Sequence, residues 1–181
     1  MAHYQNASVT DAKIETGNYA MFVGAENATA GSTWTNLGAG MVKSFAYVAE
    51  SFTSQAGNAP DPIQGVAKET ATIGIDLLEY DGSTFSSLLG GLASGSSGSF
   101  IVGGVSNTQT AKAMKLENTR ILASGSTQTT TYILPRVYAN GGFSMTPKSD
   151  NDTDPVNIYT FDILAKQAST TAATVFTKTV A

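Results

Sequence analysis

A chain of 181 residues is long enough to bury a sizeable core and is expected to fold as one domain spanning residues 1–181. Charged residues make up only 13%, 14 acidic against 10 basic, with no block of like charge, so there is no electrostatic footprint for nucleic acid or an anionic membrane. The absence of cysteine excludes disulfides, thiolate nucleophiles and cysteine-based zinc sites.

The N-terminal stretch MAHYQNASVTDAK, residues 1–13, has neither a basic start nor an apolar run, and no segment approaches the roughly 20 apolar residues of a membrane helix. A soluble protein without a secretion signal of the usual kind is expected, with residues 1–13 as a flexible arm. NYAMFVG (18–24) and VKSFAYVAESF (42–52) are β-branched and aromatic runs bounded by turn-forming residues, and both read as strands. Between them and the next strand, SQAGNAPDPIQG (54–65) holds Pro60, Pro62 and two glycines. A loop of that length in a small domain tends to have a task of its own or to be disordered.

The stretch ETATIGIDLLEYDGSTFSSLLGG (69–91) changes its hydrophobic period halfway. Ala71, Ile73, Ile75 and Leu77 alternate with Thr70, Thr72, Gly74 and Asp76, the period of a strand with one buried face. From Phe85 the spacing becomes helical through Leu88, Leu89 and Leu92. This predicts a short helix capped by Asp81 or Ser83 and ended by Gly90 and Gly91. A helix this short is marginal alone, so its apolar stripe is expected to pack on the sheet it has just left. GGLASGSSGS (90–99) reads as a flexible connection. AKAMKLENT (111–119) has helix-favouring residues but no clean period, and its conformation stays open between helix and strand.

TTTYILPRVY (129–138), GFSMT (142–146) and VNIYTFDILA (156–165) read as further strands, the first two joined by a tight hairpin turn in YANGGF (138–143). In the last run Tyr159, Phe161, Ile163 and Ala165 form an apolar row against Thr160, Asp162, Leu164 and Lys166. QASTTAATVFTKTVA (167–181) is either an arm reaching a neighbour or a frayed end. The chain is therefore expected to be mainly β, an antiparallel sandwich with one short flanking α-helix.

Residues able to carry chemistry are sparse. His3 is the only histidine, so a Ser-His-Asp triad or a histidine metal cluster has nothing to build on. The glycines of 90–99 lack the Lys-Ser or Lys-Thr of a phosphate-binding loop. DNDTDPVN (150–157) places Asp150, Asp152 and Asp154 at alternating positions, but Pro155 and Phe161 stand where a calcium loop needs glycine and glutamate. Glu69, Asp76, Glu79 and Asp81 do not form the facing pair of a glycosidase. Trp34, Tyr47, Tyr132, Tyr138 and Tyr159 suit core edges better than a sugar platform. No enzyme, metal or cofactor is expected.

The order of strand, long loop, strand, short helix ending in Gly-Gly and β-rich C-terminal half resembles the tail tube proteins (major tail proteins) of tailed bacteriophages. The likeness is carried by WTNLGAGM (34–41), by the strand-helix unit 69–91 and by YILPRVYANGGFSMTPKSDNDTDPVNIYTFDILA (132–165), and covers residues 14–166. It implies hexameric rings stacked into a hollow tube for genome delivery, with each inner sheet joining a multi-subunit β-barrel. It further implies a loop reaching the adjacent ring through Gln55, Asn58, Asp61, Ile63 and Gln64, and Thr70, Thr72, Asp76 and Asp162 facing the lumen. The implied partners are the chain itself, tape measure, tail tip or baseplate and terminator proteins, and transiently passing DNA, without membrane insertion. The implied location is the virion, after assembly in the host cytoplasm. The competing expectation, from the Thr/Ser/Gly-rich composition and the aromatics, is a β-sandwich capsid decoration or glycan-binding adhesin module.

Overall fold

The computed structural model describes residues 18–54, 63–77, 82–90, 92–96, 99–102, 108–122, 124–147, 158–168 and 174–181. Within them lie strands β1 (Asn18–Ala25), β2 (Thr35–Ser54), β3 (Ile63–Leu77), β4 (Ala93–Ser96), β5 (Ser99–Val102), β6 (Lys112–Ile121), β7 (Thr127–Thr146), β8 (Ile158–Lys166) and β9 (Thr177–Val180). One helix, α1 (Gly82–Leu89), follows β3.

Alternation drives the main sheet. Ala71, Ile73, Ile75 and Leu77 of β3 are fully buried, and β8 sets Ala165, Ile163 and Phe161 directly beside the first three. Directly opposed residues of an antiparallel pair share a face, so the two rows form one apolar surface. Seven strands continue it in the order β6-β1-β2-β3-β8-β7-β9, every pair antiparallel. β6 also pairs with β7, which closes the sheet on itself. The two layers of the expected sandwich are opposite walls of this one sheet, with Met21, Leu116 and Leu134 completing the core between them.

The fold is mainly β with a single short helix against it among the described residues. Leu88 and Leu89 enter the core, and Leu92 packs on its margin. Phe85 lies in α1, but its side chain falls outside the described residues. Gly90 ends the helix at φ +58°, its amide donating to the Ser86 carbonyl at 3.2 Å, while Thr110 donates to the Gly90 carbonyl at 2.6 Å. Ser83 sits inside α1, and Asp81 and Gly91 lie outside the described residues.

Three sequence expectations change, and one open assignment is decided. No hairpin forms at 138–143: β7 runs unbroken through it, and Asn140, Gly141 and Gly142 make a bulge, with Gly141 at φ +98°. Both halves of β7 have outside partners, β6 for the first and β8 for the second, so neither needs the other. The Gly/Ser-rich stretch 90–99 is not a plain connection, because β4 and the start of β5 pair there as a separate two-stranded sheet. Residues 112–119, left open between helix and strand, belong to strand β6. The long loop is shorter than 54–65, since β2 and β3 pair out to Ser54 and Ile63. Gln55, Asn58, Asp61 and the acidic turn 150–157 lie outside the described residues.

Candidate assembly surface

Strands β2, β3, β8 and β7 form a wall whose second face points away from the core. Cross-strand register places Met41, Asp76, Thr160 and Ser144 in one row of that face, Ser44, Gly74 and Asp162 in the next, and Ala46, Thr72, Leu164 and Tyr138 in a third. Val48, Thr70 and Lys166 follow. All four residues expected on a lumen thus share this face: Thr70 and Thr72 half-buried, Asp162 exposed, Asp76 only 6% exposed.

Asp76 is covered because its neighbours hold it. Lys43 Nζ lies 3.5 Å from Oδ2, and the Thr160 hydroxyl donates to Oδ1 at 2.5 Å. Lys43 reaches it from a β-bulge, where the β2–β3 register slips between Val42 and Ser44. Beside it Gly74 donates its amide to Ser44 Oγ at 3.1 Å, and a Cβ on Gly74 would come within 2.7 Å of that hydroxyl. Lys166 rests its ammonium 4.8 Å from the Tyr138 ring centre. Two lysines and two aspartates leave this part of the face balanced in charge.

The wall has two open edges. Among the described strands, β2 pairs only with β3 from Val42 to Ser54, and β7 pairs only with β8 from Asn140 to Thr146. Beyond Thr70, β3 likewise has only β2, so 49–54 and 63–69 form a two-stranded ribbon projecting from the sheet. Such a ribbon is weak alone. Its exposed Phe52 ring lies over Gly65, where a Cβ would meet it at 2.7 Å, and Lys68 pairs with Glu50 across the strands at 3.2 Å. Ile63 and Gln64, expected in a loop, are ribbon residues, and Gln64 is exposed.

At the ribbon's base the Tyr47 hydroxyl donates to Glu69 Oε1 and the Gln167 amide to Oε2 at 2.8 Å. These two bonds, Tyr47 first, hold the Glu69 carboxyl below its ordinary value, and the bond to Glu69 raises Tyr47 in turn. On the core side of β2, Phe45 and Tyr47 stay partly exposed and meet Phe176 at ring-centre distances of 5.2 and 6.2 Å. Phe45 also meets Tyr132 at 5.8 Å, beside a cleft of about 360 Å³. Residues 167–181 therefore include a segment that folds back on its own sheet: Val175 is buried, Phe176 joins this aromatic group and β9 pairs with β7.

Sequence reasoning missed Phe176 and the free edge. The apolar run of β2 was legible, but not that one side of it lacks a strand. The five aromatics weighed as a sugar platform do not converge. Trp34 donates to the Thr29 carbonyl at 3.1 Å, Tyr138 accepts from Arg136 at 2.9 Å, and Tyr159 packs on Phe143. No group of three or more His, Cys, Asp or Glu able to hold a metal occurs among the described residues.

No family model matches the chain, and no curated protein matches it. Among solved structures, the crystal structure of an Hcp protein is similar over 89% of this chain and 97% of that one, at 11% identity and a TM-score of 0.35. A likeness that loose says nothing of what this chain does.

Proposed function

We propose that this chain is a structural protein that assembles with copies of itself into hexameric rings, stacked as the tail tube of a tailed bacteriophage. The observation that carries this reading is the pair of open edges on one wall, β2 from Val42 to Ser54 and β7 from Asn140 to Thr146. Neighbours along β2-β3-β8-β7 all run antiparallel, so β2 and β7 point in opposite directions. The β7 edge of one copy set beside the β2 edge of the next continues that alternation. It satisfies main-chain groups on both edges and shields the exposed Phe45, Tyr47 and Val48 of β2. Repeated around a closed ring, the pairing leaves neither of these two edges open and makes a multi-subunit barrel.

In that arrangement Thr70, Thr72, Asp76 and Asp162 line the bore, and the count of six subunits comes from the family resemblance. The wall suits passing DNA. Free cations would hold phosphates by counterion release, whereas Lys43 is engaged by Asp76 and Lys166 by Tyr138. The role is architectural, without catalysis, and its further partners are the tape measure, terminator and tail tip or baseplate proteins of a virion. The ribbon 49–54 and 63–69, with the residues between its strands, reaches the adjacent ring.

Electron microscopy and light scattering of the purified chain over a range of concentrations test this. Six-fold rings, or tubes built from them, are expected; small discrete particles at every concentration, with no six-fold species in virions, would sink the reading.

A further inference from the structure

We propose that Asn140 is a site of spontaneous modification, converted through a cyclic imide to aspartate and isoaspartate with water as the only co-reactant. The Gly141 main-chain nitrogen attacks the side-chain amide carbon of Asn140. A C–N bond closes a five-membered ring, and the amide nitrogen leaves as ammonia, carrying away the proton that the peptide nitrogen gives up. Water then opens the ring at either carbonyl, giving aspartate or isoaspartate. No electrons are exchanged.

Sequence and geometry converge on this position. Asn140-Gly141 is the only Asn-Gly pair in the chain, and glycine, lacking a Cβ, leaves its amide nitrogen open to approach. Ala139 pairs with Ile163 and Phe143 with Phe161, so Asn140, Gly141 and Gly142 stand opposite Asp162 alone. The ladder is interrupted there, which frees the backbone to turn as ring closure requires. All three residues are exposed, and a Cβ on Gly141 or Gly142 would meet nothing within 4 Å. On its other side β7 has no partner strand at these residues among those described.

Asn36 is the internal contrast. It is exposed too, but its side-chain oxygen accepts the Gly38 amide at 2.8 Å, and its successor Leu37 is buried. Isoaspartate at 140 would route the main chain through the former side chain, lengthening β7 by one carbon, and either product adds a negative charge opposite Asp162. The inference concerns the chain before assembly, because rings of the proposed kind would cover this edge of β7.

The test incubates the purified full-length folded chain in mildly alkaline buffer at physiological temperature and maps its peptides over weeks. The Asn140 peptide is expected to gain the mass that separates an amide from an acid. It should split into two isomers, one methylated by an isoaspartate methyltransferase, about tenfold or more faster than the Asn36 peptide changes, as an open glycine neighbour implies. Asn140→Gln should abolish the change without altering circular dichroism or melting. Conversion of Asn140 no faster than that of Asn36, or a mass gain without isoaspartate, would overturn the proposal.

Discussion

Lys43 and Asp76 meet at 3.5 Å across the bulge of β2 between Val42 and Ser44, with Thr160 donating to the second carboxylate oxygen. The lysine is half exposed, so the ion pair itself contributes little; the hydrogen bond and the burial of Asp76 dominate. Asp76→Ala should lower unfolding stability by about 1–2 kcal/mol, mostly by stranding the Thr160 hydroxyl. Asp76→Lys should cost about 3 kcal/mol or more, because two ammonium groups would then share one covered site. Urea denaturation of both variants measures this, and equal stabilities would show that the pair is incidental.

Val48 is half exposed on the open edge of β2, on the same face as Thr70. A lysine there guards an edge against strand addition. Val48→Lys should keep the melting curve of the parent, within about 0.5 kcal/mol, as surface changes do. Ring formation should be lost. Normal rings from this variant would remove β2 from the contact.

Replacing residues 55–62 by Asn-Gly should leave the chain folded, since Ser54 and Ile63 already pair and a two-residue turn spans such a gap. Single rings should still form while stacking fails. Microscopy distinguishes rings from tubes, and tubes of ordinary length would show that these residues do not join rings.

Gly90→Ala should destabilise the chain by about 1 kcal/mol or more, for the positive φ alone opposes any side chain. The new Cβ would also stand 2.5 Å from the Thr110 carbonyl oxygen. Thermal melting reports the loss, and an unshifted midpoint would mean that α1 is not tied down at this glycine.

The Tyr47–Glu69 bond predicts a window in pH. Glu69 is held below its ordinary 4.5, so its contribution is present above that value and is lost as pH falls through the folded-state value. Tyr47 is raised above 10.0, so its contribution is present below that value and is lost as pH rises through the folded-state one. The stability gap between parent and Tyr47→Phe should therefore be widest near neutrality and close at both extremes. Both groups are exposed, so the gap is small. Denaturation midpoints across pH measure it, and a gap independent of pH would mean that the bond does not persist in solution.

Where the buried face of a strand kept a strict period of two, it could be read directly. Ala71, Ile73, Ile75 and Leu77 show this, as do Phe161, Ile163 and Ala165. β6 resisted because its register slips between Lys112 and Met114, so that Ala113 and Met114 are both buried in succession and the period is broken. The bulge at Asn140 looked like a turn because glycine serves both equally. Only the long-range partners of the flanking residues decide between them. β4, with Ser94, Gly95 and Ser96, has too little apolar patterning to announce a strand, and the apolar run of β5 is only Phe100, Ile101 and Val102.

The candidate surface was half legible. The row of Thr70, Thr72 and Asp76 follows from the alternation of β3, but the shielding of Asp76 depends on a lysine brought in by a bulge and a threonine from β8. Neither neighbour is near it in sequence, and the open edge of β2 is a property of what fails to lie beside it.

The pairing of Ile73 with Ile163 also imposes an order in time. β1, β2 and β3 leave the ribosome long before β8 does, and until β8 arrives the isoleucine row has no strand to complete its sheet. Contacts so far apart along the chain form slowly, because the intervening loop must close before any burial rewards it. The emerging N-terminal half therefore spends the synthesis of the other half as an incomplete sheet.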